Sequence, residues 1–141
     1  MAEDRKALGN RINEEVWNQG NVDAYAELVA PNIVRHAPPM PDVVGLEALK
    51  AYVHDIRGAY SEFTLKIRES ILDGDMSAGR FTIEGVHTGA SPSIPVPPTG
   101  KRIRAEGAIV SRWEDGKIVE EWVYNDYLGL MQQLGVIPRP G

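Results

Sequence analysis

A carboxylate near the end of the chain stands where it could transfer a proton. The stretch 118–126 alternates its side chains as a strand does, which puts Trp122, Tyr124 and Asp126 on one side. An acid held beside apolar rings is desolvated, and this raises its pKa towards the range that suits proton transfer. Asp126 also precedes a predicted helix over 127–134 and is a good N-cap, and the two roles are compatible. The opposite side of the strand carries the intervening residues, Glu121, Val123 and Asn125.

Helices and strands follow one another along the chain. The first part predicts three helices, because apolar residues recur every three or four positions in segments bounded by Gly20, by Pro31 and by a start near Leu46. A short strand is expected over 33–36. From Phe63 the period becomes two, which predicts further strands over 63–71, 76–87, 101–113 and 118–126. This order indicates one α+β domain over residues 1–141, with a curved antiparallel sheet packed against three N-terminal helices.

A pocket is expected between the two layers. Glycines within the predicted strands favour bending, and a bent sheet packed on helices leaves a cone that suits a small apolar molecule. Trp17 and Met40 are expected to contribute apolar lining. The proline-rich segment 88–100 is interpreted as a long connection that covers the mouth of the cone.

Composition excludes several classes of protein. The net charge is −5 and the basic residues are scattered, which argues against a nucleic-acid partner. The chain has no cysteine, and its three histidines lack the spacing of metal ligands, so neither a disulfide nor a metal site is expected. No apolar run reaches the length of a membrane span, and the N-terminus lacks the apolar core of a signal peptide. We therefore expect a cytoplasmic protein without a membrane partner.

Three segments together form a family signature. They are Pro97–Lys101 before a strand, Trp113–Glu120 at the last hairpin, and Trp122 with Asp126 and the tail 128–135. In these segments the chain resembles the SnoaL-like polyketide cyclases of the nuclear transport factor 2-like superfamily, over roughly residues 7–136. The resemblance implies a cone-shaped α+β fold, a homodimer, and acid–base chemistry without a cofactor on a small hydrophobic substrate.

The resemblance also assigns roles. It implies that Asp126 is the general acid and base of an intramolecular aldol closure of a polyketide ester, and that His36 faces the pocket. The resemblance also places Trp122 and Tyr124 in the wall of the pocket. Trp122, Tyr124 or His36 could donate a hydrogen bond to the enolate oxygen. His87, beside the proline-rich segment, is a candidate for the cavity mouth or for a simple turn. The sequence departs from the cyclase pattern in one strand, since no histidine follows His87 and Ser111 stands in that region instead.

Two other functions are consistent with the sequence. Arg104 and Glu106 share one strand face, and with Asp126 they form an acid–arginine–acid set of the kind that hydrolyses epoxides in the same superfamily. The alternative reading of Arg104 and Glu106 is an outward-facing pair, because Ile103, Ile109 and Trp113 occupy the opposite face. The third function is a binding protein that holds a hydrophobic metabolite and performs no reaction.

Overall fold

Six strands form a single curved sheet in the computed structural model, which describes residues 2–92 and 94–140. The strands are β1 (Val29–His36), β2 (Val43–Val44), β3 (Tyr60–Asp73), β4 (Met76–His87), β5 (Arg102–Glu114) and β6 (Lys117–Asn125). Their order across the sheet is β2-β1-β6-β5-β4-β3. The long strands predicted from the alternating pattern are confirmed.

Three helical segments precede the long strands. Helix α1 (Ala2–Asn13) continues into a π-helical turn at Glu14–Asn18, and a 3₁₀ helix (Val22–Glu27) follows. Helix α2 (Leu46–Ala59) leads directly into β3, and a short helix α3 (Tyr127–Gln133) follows β6. The three predicted N-terminal helices are thus present, with the second in 3₁₀ form.

The sheet is mixed, which corrects the expectation of a purely antiparallel one. Strand β1 runs parallel to β6, with Arg35 opposite Glu121, while all other neighbours are antiparallel. The two parallel strands are far apart in the chain, so no hairpin forces them to run in opposite directions. Pro31 lies inside β1 rather than at the end of a helix, and the β1–β6 register shifts between Val29 and Val34, which accommodates a residue without an N–H.

One face of the sheet is covered by the helices, and we call it the inner face. On β6 it carries Glu121 and Val123, both buried, whereas Trp122 and Tyr124 lie on the opposite, outer face. A large apolar cluster lies between the inner face and the helices, and it includes Ile12, Val16, Leu49, Val53, Ile103 and Ile118. Burial of this cluster supplies the main stabilisation of the layers. Within the described residues, no helix is long and apolar enough to cross a membrane.

Candidate functional site

A cavity of about 180 Å³ lies between the inner face and the helices. Apolar and aromatic side chains form most of its wall, including Trp17 and Met40, the two residues proposed from sequence as apolar lining. The proline-rich segment contributes Ile94, which is buried and lines the same space. The segment therefore covers part of the cavity, in agreement with its interpretation as a cover.

A buried ion pair stands in this apolar wall. Arg35 Nη1 donates to Glu121 Oε1 over 2.8 Å, and the side chains are only 8% and 3% exposed. The parallel register of β1 and β6 brings them together across 86 positions of sequence. The Arg35 guanidinium also lies 5.2 Å from the ring centre of Tyr52 and 6.0 Å from that of Trp17. The cation is thus held by one carboxylate and two aromatic faces.

The electrostatics of the pair keep the guanidinium charged. Burial lowers the pKa of Arg35, but the Glu121 carboxylate and the nearby tyrosines raise it more, so that it lies above its usual value. Burial raises the pKa of Tyr25, whose hydroxyl accepts a hydrogen bond from Trp17 Nε1 at 3.0 Å. This end of the cavity therefore contains a fixed cation beside a neutral phenol.

One carboxylate oxygen of Glu121 is left without a hydrogen bond. Oε1 is occupied by Arg35, whereas Oε2 receives no hydrogen bond from the residues that the structure describes. Ser111 lies directly opposite Glu121 on β5, is buried, and lines the cavity. Its hydroxyl likewise has no partner within residues 2–92 and 94–140. A free carboxylate oxygen, a fixed cation and a free hydroxyl are the groups that proton transfer to and from carbon requires.

Asp126 lies outside this cavity. Its side chain is exposed, and Oδ1 accepts a hydrogen bond from Gly129 N at 2.9 Å, which confirms it as the N-cap of α3. The expectation that aromatic neighbours desolvate it is wrong, because Trp122, Tyr124 and Asp126 share the outer face of the sheet. Tyr124 is 54% exposed. The alternation was predicted correctly, but the face chosen as the inner one was not.

His36 and Trp122 belong to a network on the outer face. His36 Nε2 lies 2.7 Å from Glu120 Oε2, and Nδ1 lies 3.0 Å from Asp42 Oδ1. The ring of His36 stacks on Trp122 with centres 5.6 Å apart, and Arg112 lies over the same indole at 5.4 Å. Hydrogen bonding to Glu120, and then to Asp42, raises the pKa of His36. The structure therefore places this histidine in a surface network and not in the cavity wall.

His87 anchors the end of the proline-rich segment. It is fully buried, Nδ1 accepts from Thr99 N at 3.2 Å, and its carbonyl accepts from Gly100 N at 2.7 Å. It is not one of the cavity-lining residues. His54, on α2, is exposed.

Arg104 and Glu106 form an exposed pair on the outer face. Arg104 Nη1 lies 3.5 Å from Glu106 Oε1, and both side chains are more than half exposed. The outward-facing interpretation of this pair is confirmed. The acid–arginine–acid set considered for epoxide hydrolysis is therefore not gathered in the cavity.

Sequence reasoning missed Arg35 and Glu121. Each is a charged residue on the same strand face as a buried aliphatic residue two positions away. Arg35 shares its face with Ile33, Glu121 shares its face with Val123, and the two charges are opposite. Opposite charges on the apolar faces of two strands indicate that the strands are neighbours, since an isolated buried charge is too costly. This signal was available but was outweighed by the aromatic residues on the other face.

Comparison with known proteins places the chain in a family. The family model described as SnoaL-like polyketide cyclase matches residues 7–134. The chain belongs to the SnoaL-like polyketide cyclase family. A SnoaL-like relative from Streptomyces peucetius, the aklanonic acid methyl ester cyclase DnrD, is 32% identical over 127 residues, which cover 86% of this chain and 84% of DnrD.

Solved structures show the same fold. A proposed SnoaL-like polyketide cyclase from Jannaschia sp. CCS1 matches with a TM-score of 0.85 at 18% identity, covering 97% of this chain and 95% of that one. AclR from Streptomyces galilaeus, a proposed hydroxylase, matches with a TM-score of 0.83 at 24% identity, covering 100% of this chain and 87% of AclR. At such identities the likeness establishes the fold alone, and the chemistry must be argued from the site.

Proposed function

We propose that this SnoaL-like protein is a cofactor-independent cyclase that closes a ring in an apolar polyketide ester. The observation that carries the proposal is the buried Arg35–Glu121 pair, whose carboxylate keeps one free oxygen in the wall of an apolar cavity. A charged pair is expensive to bury, and its position beside a cavity is explained by chemistry on an enclosed ligand.

The proposed reaction is an intramolecular aldol closure. Glu121 Oε2 takes a proton from a carbon that is acidified by adjacent carbonyl groups, and the resulting enolate oxygen is stabilised by Arg35 and by the Ser111 hydroxyl. The enolate carbon then attacks a ketone carbon of the same molecule, forming one carbon–carbon bond and an alkoxide. The protonated Glu121 returns its proton to that alkoxide. No atom is gained or lost and there is no net oxidation or reduction, so the reaction needs no redox partner.

The apolar wall supports the other requirement of a ring closure. The substrate must be folded so that the carbon and the ketone meet, and water must be kept from the enolate. Aromatic walls formed by Trp17, Tyr52 and Phe63 suit a flat, unsaturated substrate. The name of DnrD suggests the class: a methyl ester of the aklanonic acid type.

The cyclase activity can be tested on aklanonic acid methyl ester itself. We expect the purified protein, after treatment with EDTA, to convert this ester to a product of unchanged mass, followed by liquid chromatography and mass spectrometry. A carboxylic acid lighter by one CH₂ group, with methanol released and one heavy oxygen incorporated from labelled water, would indicate a hydrolase instead. Tight retention of the unchanged ester would indicate a binding protein.

A further inference from the structure

The cavity wall contains a second polar side chain at some distance from the ion pair. Asn125 is on the same face of β6 as Glu121, four residues further along, and it lines the cavity. Four residues of strand span about 13 Å. Between them the inner face carries Val123 and, on the neighbouring strand, Ile109, which are apolar. The two polar positions are therefore separated by an apolar stretch of wall.

The side-chain amide of Asn125 has no hydrogen-bond partner in the part of the chain that the structure describes. Oδ1 is fully buried without a hydrogen bond, and Nδ2 donates to no atom of the residues that the structure describes. A buried oxygen without a hydrogen bond costs stability, and such groups are rare in folded proteins. The Nδ2 group carries two N–H donors, and these are the part of the amide from which a carbonyl oxygen of a ligand can accept a hydrogen bond.

Neighbouring residues leave room for this amide. Gly107 stands opposite Asn125 on β5, and a Cβ atom there would come within 2.7 Å of Asn125 Oδ1 and 2.5 Å of Phe81. A side chain at position 107 would therefore displace the amide or Phe81. The glycine allows the amide oxygen to pack against the sheet, which leaves the Nδ2 hydrogens as the donors for a ligand.

We propose that Asn125 determines specificity by donating a hydrogen bond to a carbonyl oxygen at the far end of the substrate. The preferred ligand is a slender apolar compound with a reacting carbonyl group near Glu121 and a second carbonyl near Asn125. This inference rests on the proposed function, because it takes the cavity as the substrate site. The inference adds one requirement to the proposed function: the substrate has an oxygen-containing group at each end and an apolar part between them.

The test compares two rigid probes that differ in one carbonyl group. 4,4′-Diacetylbiphenyl carries a ketone at both ends and 4-acetylbiphenyl at one end, and their dissociation constants are measured by isothermal titration calorimetry. The wild-type protein is expected to bind the diketone about 10-fold more tightly, as one buried hydrogen bond allows. In Asn125→Leu the ratio should fall to about 1, with the affinity for the monoketone unchanged. Asn32→Leu, the same change at an exposed position, should keep the wild-type ratio.

Two results would overturn the inference. One is the absence of a preference in the wild-type protein, which includes failure to bind either probe, and the other is a preference that persists in Asn125→Leu. If that variant does not fold, Asn125→Ala serves for the same comparison. The inference can fail while the proposed function holds. This is the case if turnover is lost in Glu121→Gln although Asn125→Leu does not change the preference between the two probes. The protein would then still be a cyclase, but Asn125 would not determine its specificity.

Discussion

At the scale of single residues, the molecule depends on one pair of charges held inside an apolar wall. Arg35 and Glu121 are joined by one short hydrogen bond, and two aromatic rings lie against the guanidinium. A buried pair of this kind adds little net stability compared with apolar residues, yet removal of one partner is costly because the other charge is left alone. The position of the pair beside a cavity therefore supports the proposed role of Glu121 in the reaction.

Removal of the cation should destabilise the protein strongly. Arg35→Met leaves the Glu121 carboxylate without its partner, and we expect a loss of about 3–5 kcal/mol in the free energy of unfolding. The double variant Arg35→Met/Glu121→Leu should regain much of this loss. Urea denaturation followed by circular dichroism measures both values, with the exposed Arg104→Met as the control. A loss below about 1 kcal/mol for Arg35→Met would contradict the buried pairing.

The outer-face histidine should contribute a pH-dependent term to stability. The pKa of His36 is raised in the folded protein by Glu120 and Asp42, so its contribution is complete below the ordinary histidine pKa of about 6.5 and is lost as the pH rises through the raised value. The difference in melting temperature between wild type and His36→Gln should therefore be larger at pH 6 than at pH 9. A difference that is constant or grows with pH would show that the histidine is not held as a cation.

At the scale of elements, the two faces of strand β6 and the residue that follows it lie in three different environments. Its inner face lines the cavity, its outer face carries Trp122 and Tyr124, and the residue after it starts α3. Asp126 therefore belongs to the helix, through its hydrogen bond to Gly129 N. Asp126 lies between the end of β6 and the start of α3. Its capping role can therefore be measured separately from any role in catalysis.

Loss of the cap should reduce stability and leave turnover intact. Asp126→Ala removes the acceptor for Gly129 N, and we expect a loss of about 1 kcal/mol, the usual value for an N-cap. Asp126→Asn preserves a cap and should cost much less. Chemical denaturation gives the two free energies of unfolding. Equal effects of Ala and Asn would show that the side chain does not cap α3.

The same strand shows what the sequence could predict and what it could not. Alternation identified the strands, and the glycine and proline signals identified most boundaries, because both depend on local geometry. Which face of β6 is inner depends on the contact of Glu121 with Arg35, 86 residues away. The alternation within β6 does not report this contact, which becomes visible only when the charges of the two distant strands are compared. The aromatic residues of the outer face appeared to be the buried ones. Consequently the strands were predicted well, whereas Trp122 and Tyr124, expected in the pocket wall, lie on the other side of the sheet.

At the scale of the whole molecule, the outer face of the sheet is the side that the N-terminal helices leave uncovered. It carries the exposed Tyr124 and the half-buried Trp122, together with the paired charges of Arg104 and Glu106. We propose that this face packs against a second copy of the chain, as expected from the family resemblance. An aromatic surface with charges of both signs suits a contact between identical faces.

The assembly can be tested in solution. Analytical ultracentrifugation should give twice the chain mass of 15.5 kDa for the wild-type protein. Tyr124→Glu places a like charge on both copies and should shift the equilibrium towards monomer, whereas His54→Glu, at an exposed position on helix α2, should not. A monomeric wild-type protein, or a dimer unaffected by Tyr124→Glu, would contradict the proposed interface.

The central claim is that the proton is transferred by the cavity carboxylate and not by the carboxylate that caps α3. The most direct measurement compares turnover of aklanonic acid methyl ester by Glu121→Gln and Asp126→Asn, two isosteric changes on the two faces of β6, after circular dichroism has shown both variants to be folded. We predict that Glu121→Gln lowers the turnover number by at least about 100-fold, the usual contribution of a general acid–base, while Asp126→Asn stays within about two-fold of wild type. Full turnover in Glu121→Gln together with its loss in Asp126→Asn would contradict the account.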